Sequence, residues 1–317
     1  MLYSPTPMHI PDGFLSVAVS VILWLIIIPV IAYALRRVST ELDERKIPLM
    51  GVLAAAIFAG QMLNFAVAGG TSGHLMGAAI AAILLGPWAA TLVMTVVVSV
   101  QALIFQDGGL LVLGANIFNM AVIGVAVSYA VYQTFQRLAR GQKWGIFVGG
   151  FVAAWLSIEI AALAAALELA LSGTSPANIA ILAMGGIHAL IGIGEGLITV
   201  GALAFIYASR PDLLDSQNKR QGSSALVWIV GLLIAVALTV LSPLASAHPD
   251  GLEWVAKQNG FLQAARNPAY NIIPDYILPG ISNEALATIL AGIIGVLLVF
   301  GSALAIAYLR RTRQSTH

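Results

Sequence analysis

The sequence predicts an all-α integral membrane protein, a seven-helix bundle followed by a two-helix module. Three observations carry this prediction. Of 317 residues, 59% are hydrophobic and 9% charged, with a mean hydropathy of +0.93, whereas a soluble domain carries about 25% charged residues. Apolar runs of membrane-crossing length recur along the chain, and the positive charges fall between them on one side. A globule with so much apolar surface would not stay dissolved, which excludes soluble enzymes and nucleic-acid binders. The absence of cysteine removes disulfides, thiolate metal sites and thiol catalysis, so any metal must be held by nitrogen or oxygen.

Spans are expected near 14–35, 47–67, 87–106, 112–136, 145–171 and 179–208, then 225–245 and 285–309. Each approaches the ~20 residues that cross about 30 Å of hydrocarbon. The stretch 75–85 is apolar but short, with Gly69, Gly70 and Gly73 before it and Gly86-Pro87 after it. By length it fits a shortened span or a re-entrant dip. Charge placement favours the span. With nine crossings and the N-terminus outside, Arg36, Arg37, Arg45, Lys46, Arg137, Arg140, Lys143, Arg210, Lys219, Arg220, Arg310, Arg311 and Arg313 all lie on the cytoplasmic side, leaving Lys257 and Arg266 outside. That is the asymmetry of the positive-inside rule. Without the crossing, Arg137, Arg140 and Lys143 would lie outside. The polar run SRPDLLDSQNKRQGSS over 209–224 reads as a cytoplasmic linker. It separates a domain at 8–208 from a second at 225–317, with 1–7 as an N-terminal extension.

Five histidines occur, at 9, 74, 188, 248 and 317. His9, in MHIPDGFLS, precedes the first span, and His74, in NFAVAGGTSGHLMGAA, opens the short third segment at the same outer face. The glycines of that loop let its backbone bend into the protein. A lone histidine beside a membrane interface is commonly an interfacial polar group; two at one face can form a ligand pair. If translation starts at Met8, which we favour, its free amine, the deprotonated amide nitrogen of His9 and His9 Nδ1 form fused five- and six-membered chelate rings. His74 then completes a square-planar nitrogen set, a geometry that points to Ni(II) or Cu(II). If the MLYSPTP extension is retained, the amine lies elsewhere and the site must use imidazoles and other groups.

MHIPDGFLS, NFAVAGGTSGHLMGAAIAAILLGPW, VQALIFQDGGLLVLGANIFNMAVIG and GGIHALIGIGEGLIT resemble the substrate-binding M component, of CbiM and NikM type, of energy-coupling factor transporters for cobalt and nickel. The resemblance covers residue 8 to about 207. The tail, with PDGLEWVA and PDYILPG between two spans, is similar to the small N component that carries the PDGLE motif, so the chain looks like an M and N fusion. The resemblance implies a seven-helix bundle of the substrate-binding type, metal ligation by Met8, His9 and His74, and Ni(II) or Co(II) as transported substrate with no catalytic cofactor. It also implies partners in trans, a T-type transmembrane coupling component and ABC ATPase subunits, in the plasma membrane of a prokaryote. The chain carries no GxxxxGK[ST] of its own, so ATP must be used by another subunit.

Other polar residues have two readings each. Asn64, Gln101, Asn116 and Asn119 lie in apolar segments, where amides bond across helices; Asn64 is also a candidate support behind His74, as are Thr71 and Ser72. His188 and Glu195 lie two turns apart on one helix face, either an intramembrane functional pair or, more commonly, an ion pair that fixes packing. Glu159 and Glu168 need a partner or a proton. Asp250, Glu253 and Asp275, with His248, form either an exposed acidic loop, the commoner case, or a cation-collecting one. An alternative function is an ion-coupled secondary transporter using His188, Glu195 and Glu159 as a proton relay. The absence of HExxH weighs against an intramembrane metalloenzyme, and a vitamin would need an aromatic-lined pocket that the sequence does not offer.

Overall fold

The computed structural model describes residues 9–41, 46–214, 224–266, 268 and 270–311. In chain order its elements are α1 (Val17–Glu41), α2 (Lys46–Gln61), the strands β1 (Phe65–Val67) and β2 (Thr71–Gly73), α3 (Ala78–Leu85), α4 (Pro87–Val100), α5 (Leu113–Ile117), α6 (Gly124–Ala139), α7 (Trp144–Leu171) and α8 (Ala177–Ser209). Then follow α9 (Ser224–Leu241), α10 (Gly251–Gln258) and α11 (Glu284–Arg311). Helices rich in Leu, Ile, Val and Ala that are apolar all round are those of a membrane bundle, where backbone groups must be paired within the segment. Six helical stretches among the described residues are long and apolar enough to cross a membrane; Lys46–Gln61 and Trp228–Leu244 are shorter apolar helices. The protein is thus an all-α membrane protein with one small hairpin.

Of the nine expected crossings, six coincide with those long helices; the other three, near 47–67, 75–85 and 225–245, hold shorter helices, so the described residues give six helices of spanning length where nine crossings were expected. In the stretch 75–85, only the eight residues of α3 are helical, about 12 Å of rise. An irregular approach supplies the remainder. Gln61 Nε2, at the end of α2, donates to Met76 O at 2.8 Å, and Lys46 Nζ, at the start of α2, donates to Leu85 O at 3.4 Å. Residues 76–85 therefore run antiparallel to α2 along its length. Non-helical backbone at this depth is tolerated because protein covers it: Leu75, Met76 and Ala78 are all buried.

α2 is the common wall of the two parts of the chain. It packs against α4 in the first part and against α9 and α11 in the second. Glycines permit this approach: a Cβ on Gly295 of α11 would run into the Phe58 ring of α2. Between α9 and α11, α10 and a turn at Pro274–Tyr276 return across the end of the bundle where α1 begins. Described basic residues at the ends of α1, α6 and α11 (Arg36, Arg37, Arg137, Arg310) lie at the opposite end.

Candidate metal centre

The segment before α1 is held by the loop between α4 and α5. Asp12 accepts hydrogen bonds from three successive amides, those of Leu110 (3.1 Å), Leu111 (3.0 Å) and Val112 (3.2 Å). Asn116 clamps Ile10 at both ends: its Oδ1 accepts from Ile10 N at 3.0 Å and its Nδ2 donates to Ile10 O at 3.1 Å. Gly108, at φ +95°, lets the two strands of chain meet, since a Cβ there would lie 3.0 Å from His9 Cβ. His9 is consequently buried, at 5% exposure. Its amide N–H donates to Asp107 Oδ1 at 3.1 Å, and its Nδ1 lies 3.0 Å from the same oxygen. That second contact is an electrostatic one, since neither ring nitrogen has a partner in hydrogen-bonding geometry. The two His9 nitrogens expected to chelate thus converge on one point. Met8, the third expected ligand, lies outside the described residues, as do residues 1–7.

His74 follows the β1–β2 hairpin. β2 passes so close to α8 that a Cβ on Gly73 would collide with Ile191. His74 Nδ1 lies 3.0 Å from Leu75 O. A carbonyl only accepts, so the neutral ring carries its proton on Nδ1 and leaves the Nε2 lone pair free to ligate. Burial, aided by the neighbouring charge of His9, lowers the His74 pKa to about 4, which keeps the ring neutral. Burial works against a charged His9, yet the Asp107 carboxylate outweighs it and the pKa is raised. The His9 and His74 rings meet edge to face, centroids 5.7 Å apart.

Both rings face a cavity of about 100 Å³, together with Asn119, Met120, His188 and Asp250. This is well below the ~300–1,000 Å³ of organic-ligand pockets and accommodates an ion with part of its water. A π-helical turn, Phe118–Ile123, carries Asn119 and Met120 to it, and a second, Gln101–Phe105, leads to Asp107; such turns recur at functional sites. Among the described residues no three His, Asp or Glu side chains are grouped to hold a metal alone.

His188 reaches the cavity, but its Nδ1 contacts Met184 O on its own helix at 2.8 Å. Glu195 instead accepts from the amides of Met76 (2.7 Å) and Gly77 (2.9 Å), so the structure gives the two different partners. Asn64 accepts from Ser246 N through its backbone carbonyl at 2.8 Å, while its side-chain Oδ1 is buried without a hydrogen-bond partner and so does not bond His74. Thr71 Oγ1 donates to Pro249 O (3.0 Å) and Ser72 Oγ to His248 O (2.8 Å), fastening the PDGLE segment over the hairpin. Glu168 accepts from Asn119 Nδ2 at 2.9 Å. The acidic loop is not simply exposed, for Asp250 is buried at 4%, and burial raises its pKa to about 7.

Sequence reading did not single out Asp107 or Tyr276. Asp107 lies within a polar break, Gln-Asp-Gly-Gly, between two apolar runs, and that break is the available signal. Tyr276 donates to Asp107 Oδ2 at 2.6 Å and has a pKa raised well above the usual value by burial and by that carboxylate. No local pattern announces it.

Residues 9–213 match the family described as the cobalt uptake substrate-specific transmembrane region, and residues 224–312 match the PDGLE domain. An Archaeoglobus fulgidus chain assigned as a fused nickel transport protein, NikMN, is 37% identical over 96% of this chain and 100% of its own. The cobalt transport protein CbiM of Sorangium cellulosum is 35% identical over 66% of this chain and 95% of its own. A crystal structure of a transition metal transporter superposes with a TM-score of 0.59 at 33% identity, covering 68% of this chain and 100% of that one. The chain therefore belongs to the family of cobalt uptake substrate-specific transmembrane proteins and carries a PDGLE domain after it.

Proposed function

We propose that this membrane protein is the substrate-binding component of an energy-coupling factor importer, capturing Ni(II) or Co(II) at the outer face and delivering it inward. It is a transport protein and not an enzyme, in keeping with relatives named for nickel and cobalt transport. The observation that carries the reading is the convergence of His9 N and Nδ1 on one point beside the His74 ring, over a cavity of ion size. Residues 8–208 form the metal-binding part and 225–317 the N component. In this reading the Met8 amine, the His9 amide nitrogen, His9 Nδ1 and His74 Nε2 are the ligands. Asp107 Oδ1, which accepts the His9 amide hydrogen bond, is the acceptor to which the amide proton passes when the metal binds. Ligation that displaces protons makes affinity pH-dependent and gives release a chemical handle.

Energy comes from ABC ATPase subunits through a T-type membrane component, in the plasma membrane of a prokaryote, with the N-terminus outside and the positive ends of the helices in the cytoplasm. Intact-mass measurement and metal analysis of the purified full chain test the site: a mass beginning at Met8 with about one equivalent of nickel or cobalt is expected from the four-ligand chelate. Tightly bound metal on a chain beginning at Met1, or undiminished affinity in His9→Ala, overturns the chelate. Uptake that persists without the ATPases and collapses with a protonophore overturns the importer assignment.

A further inference from the structure

We propose that the PDGLE segment builds a loading site for the incoming ion, a second cavity in which Asp250, Glu253 and the amide oxygen of Gln106 receive the hydrated dication and Asp250 passes it to His9. The inference rests on the nickel or cobalt reading above. This second cavity, of about 190 Å³, adjoins the first and shares His9, Asp250 and Leu252 with it.

The charged residues that line it are Asp12, Asp250, Glu253 and Arg266. Asp12 is already committed to three backbone amides, and Arg266 lies exposed. The other two carboxylates have capacity to spare. Asp250 uses Oδ1 to cap α10, accepting from Glu253 N at 2.7 Å, while Glu253 Oε2 is shielded from solvent and has no hydrogen-bond partner. Gln106, another lining residue and 6% exposed, spends its Nε2 on Ile104 O at 3.2 Å and leaves Oε1 buried without a partner. Buried acceptors without donors are costly. A hydrated dication supplies what they lack, since each bound water is a strong donor and the ion offsets the carboxylate charge.

The order of ligands follows from the two linings. The inner cavity is walled largely by Ile, Ala and Met side chains, and Asp250 is the one carboxylate among its described lining residues. A dication entering such a space without counter-charge would meet a large desolvation penalty. Asp250, common to both cavities, keeps a negative charge beside the ion while water is exchanged for the nitrogen ligands of His9 and His74.

Full-length protein stripped with a chelator and mixed with nickel chloride tests this, with the absorbance of nitrogen-bound nickel followed in a stopped-flow instrument. Glu253→Gln is expected to slow loading about tenfold or more at low ionic strength, to slow release into excess chelator by the same factor, and so to leave the equilibrium affinity unchanged. Asp250→Asn keeps a competent helix cap and is expected to slow loading further. The wild-type rate should fall with added salt and the Glu253→Gln rate much less. Loading of both variants at the wild-type rate overturns the loading site, as does a loss of affinity in Glu253→Gln with unchanged loading. A wild-type chain that takes up neither nickel nor cobalt overturns the functional reading and the loading site together.

Discussion

His9 is placed by its neighbours more than by its own residue type. Its ring has no hydrogen-bond partner, and what orients it is the backbone on either side, held by Asp107 through His9 N, by Asn116 through Ile10 and by Asp12 beyond. Asp107 is in turn fixed by the Tyr276 hydroxyl at 2.6 Å. A carboxylate that both orients a ligand and accepts its proton should matter nearly as much as the ligand. Asp107→Asn is therefore expected to lower nickel affinity about 10–100-fold, as read by titration calorimetry. An unchanged affinity would remove Asp107 from the site. Asn116→Leu leaves the buried N–H and C=O of Ile10 without that partner and should destabilise the fold by on the order of 2 kcal/mol, checked by thermal unfolding in detergent.

At the scale of elements, the His74 loop is fastened at three places. Ser72 and Thr71 tie the hairpin to the PDGLE segment, Gln61 holds Met76 O, and Glu195 of α8 accepts the amides of Met76 and Gly77. Those amides lie just before α3 (Ala78–Leu85), so a carboxylate from another helix fixes the backbone that leads into it. Glu195→Gln replaces one accepting oxygen by a donor and leaves one amide unpaired. Hydrogen exchange at Met76 and Gly77 is expected to quicken, with a fall in nickel affinity because His74 sits two residues before Met76. Unaltered exchange at both amides would show that the loop is held by its other two fastenings alone.

Across the whole molecule, the second part of the chain is packed on the first along α2 and closes over its metal end. Gly295 lies against Phe58, with Phe105 Cζ 2.9 Å from where a Cβ would stand. Gly295→Val should wedge α11 away from α2 at a cost of about 1–3 kcal/mol, lowering the unfolding temperature, and should also disturb Tyr276, which stacks on Phe105 at 4.7 Å between ring centroids. Nickel affinity is expected to fall with it through Asp107, whereas a substitution on the lipid-facing side of α8, such as Leu197→Ala at 62% exposure, should leave both quantities unchanged. The sequence by itself determined that the protein is helical and membrane-embedded and that His9 and His74 share one face. Hydropathy and charge are summed over segments and survive without knowledge of contacts. The His188 and Glu195 pairing was beyond that reach, because helical spacing says which residues share a face and not what another element brings to it. Only the tertiary structure decided that Asp107 meets both nitrogens of His9, that Glu195 serves the His74 loop, and that Asp250, 241 positions from His9, is buried beside it. Those contacts join segments distant in the chain, and a buried polar group is read from the partners that satisfy it, which no local pattern records.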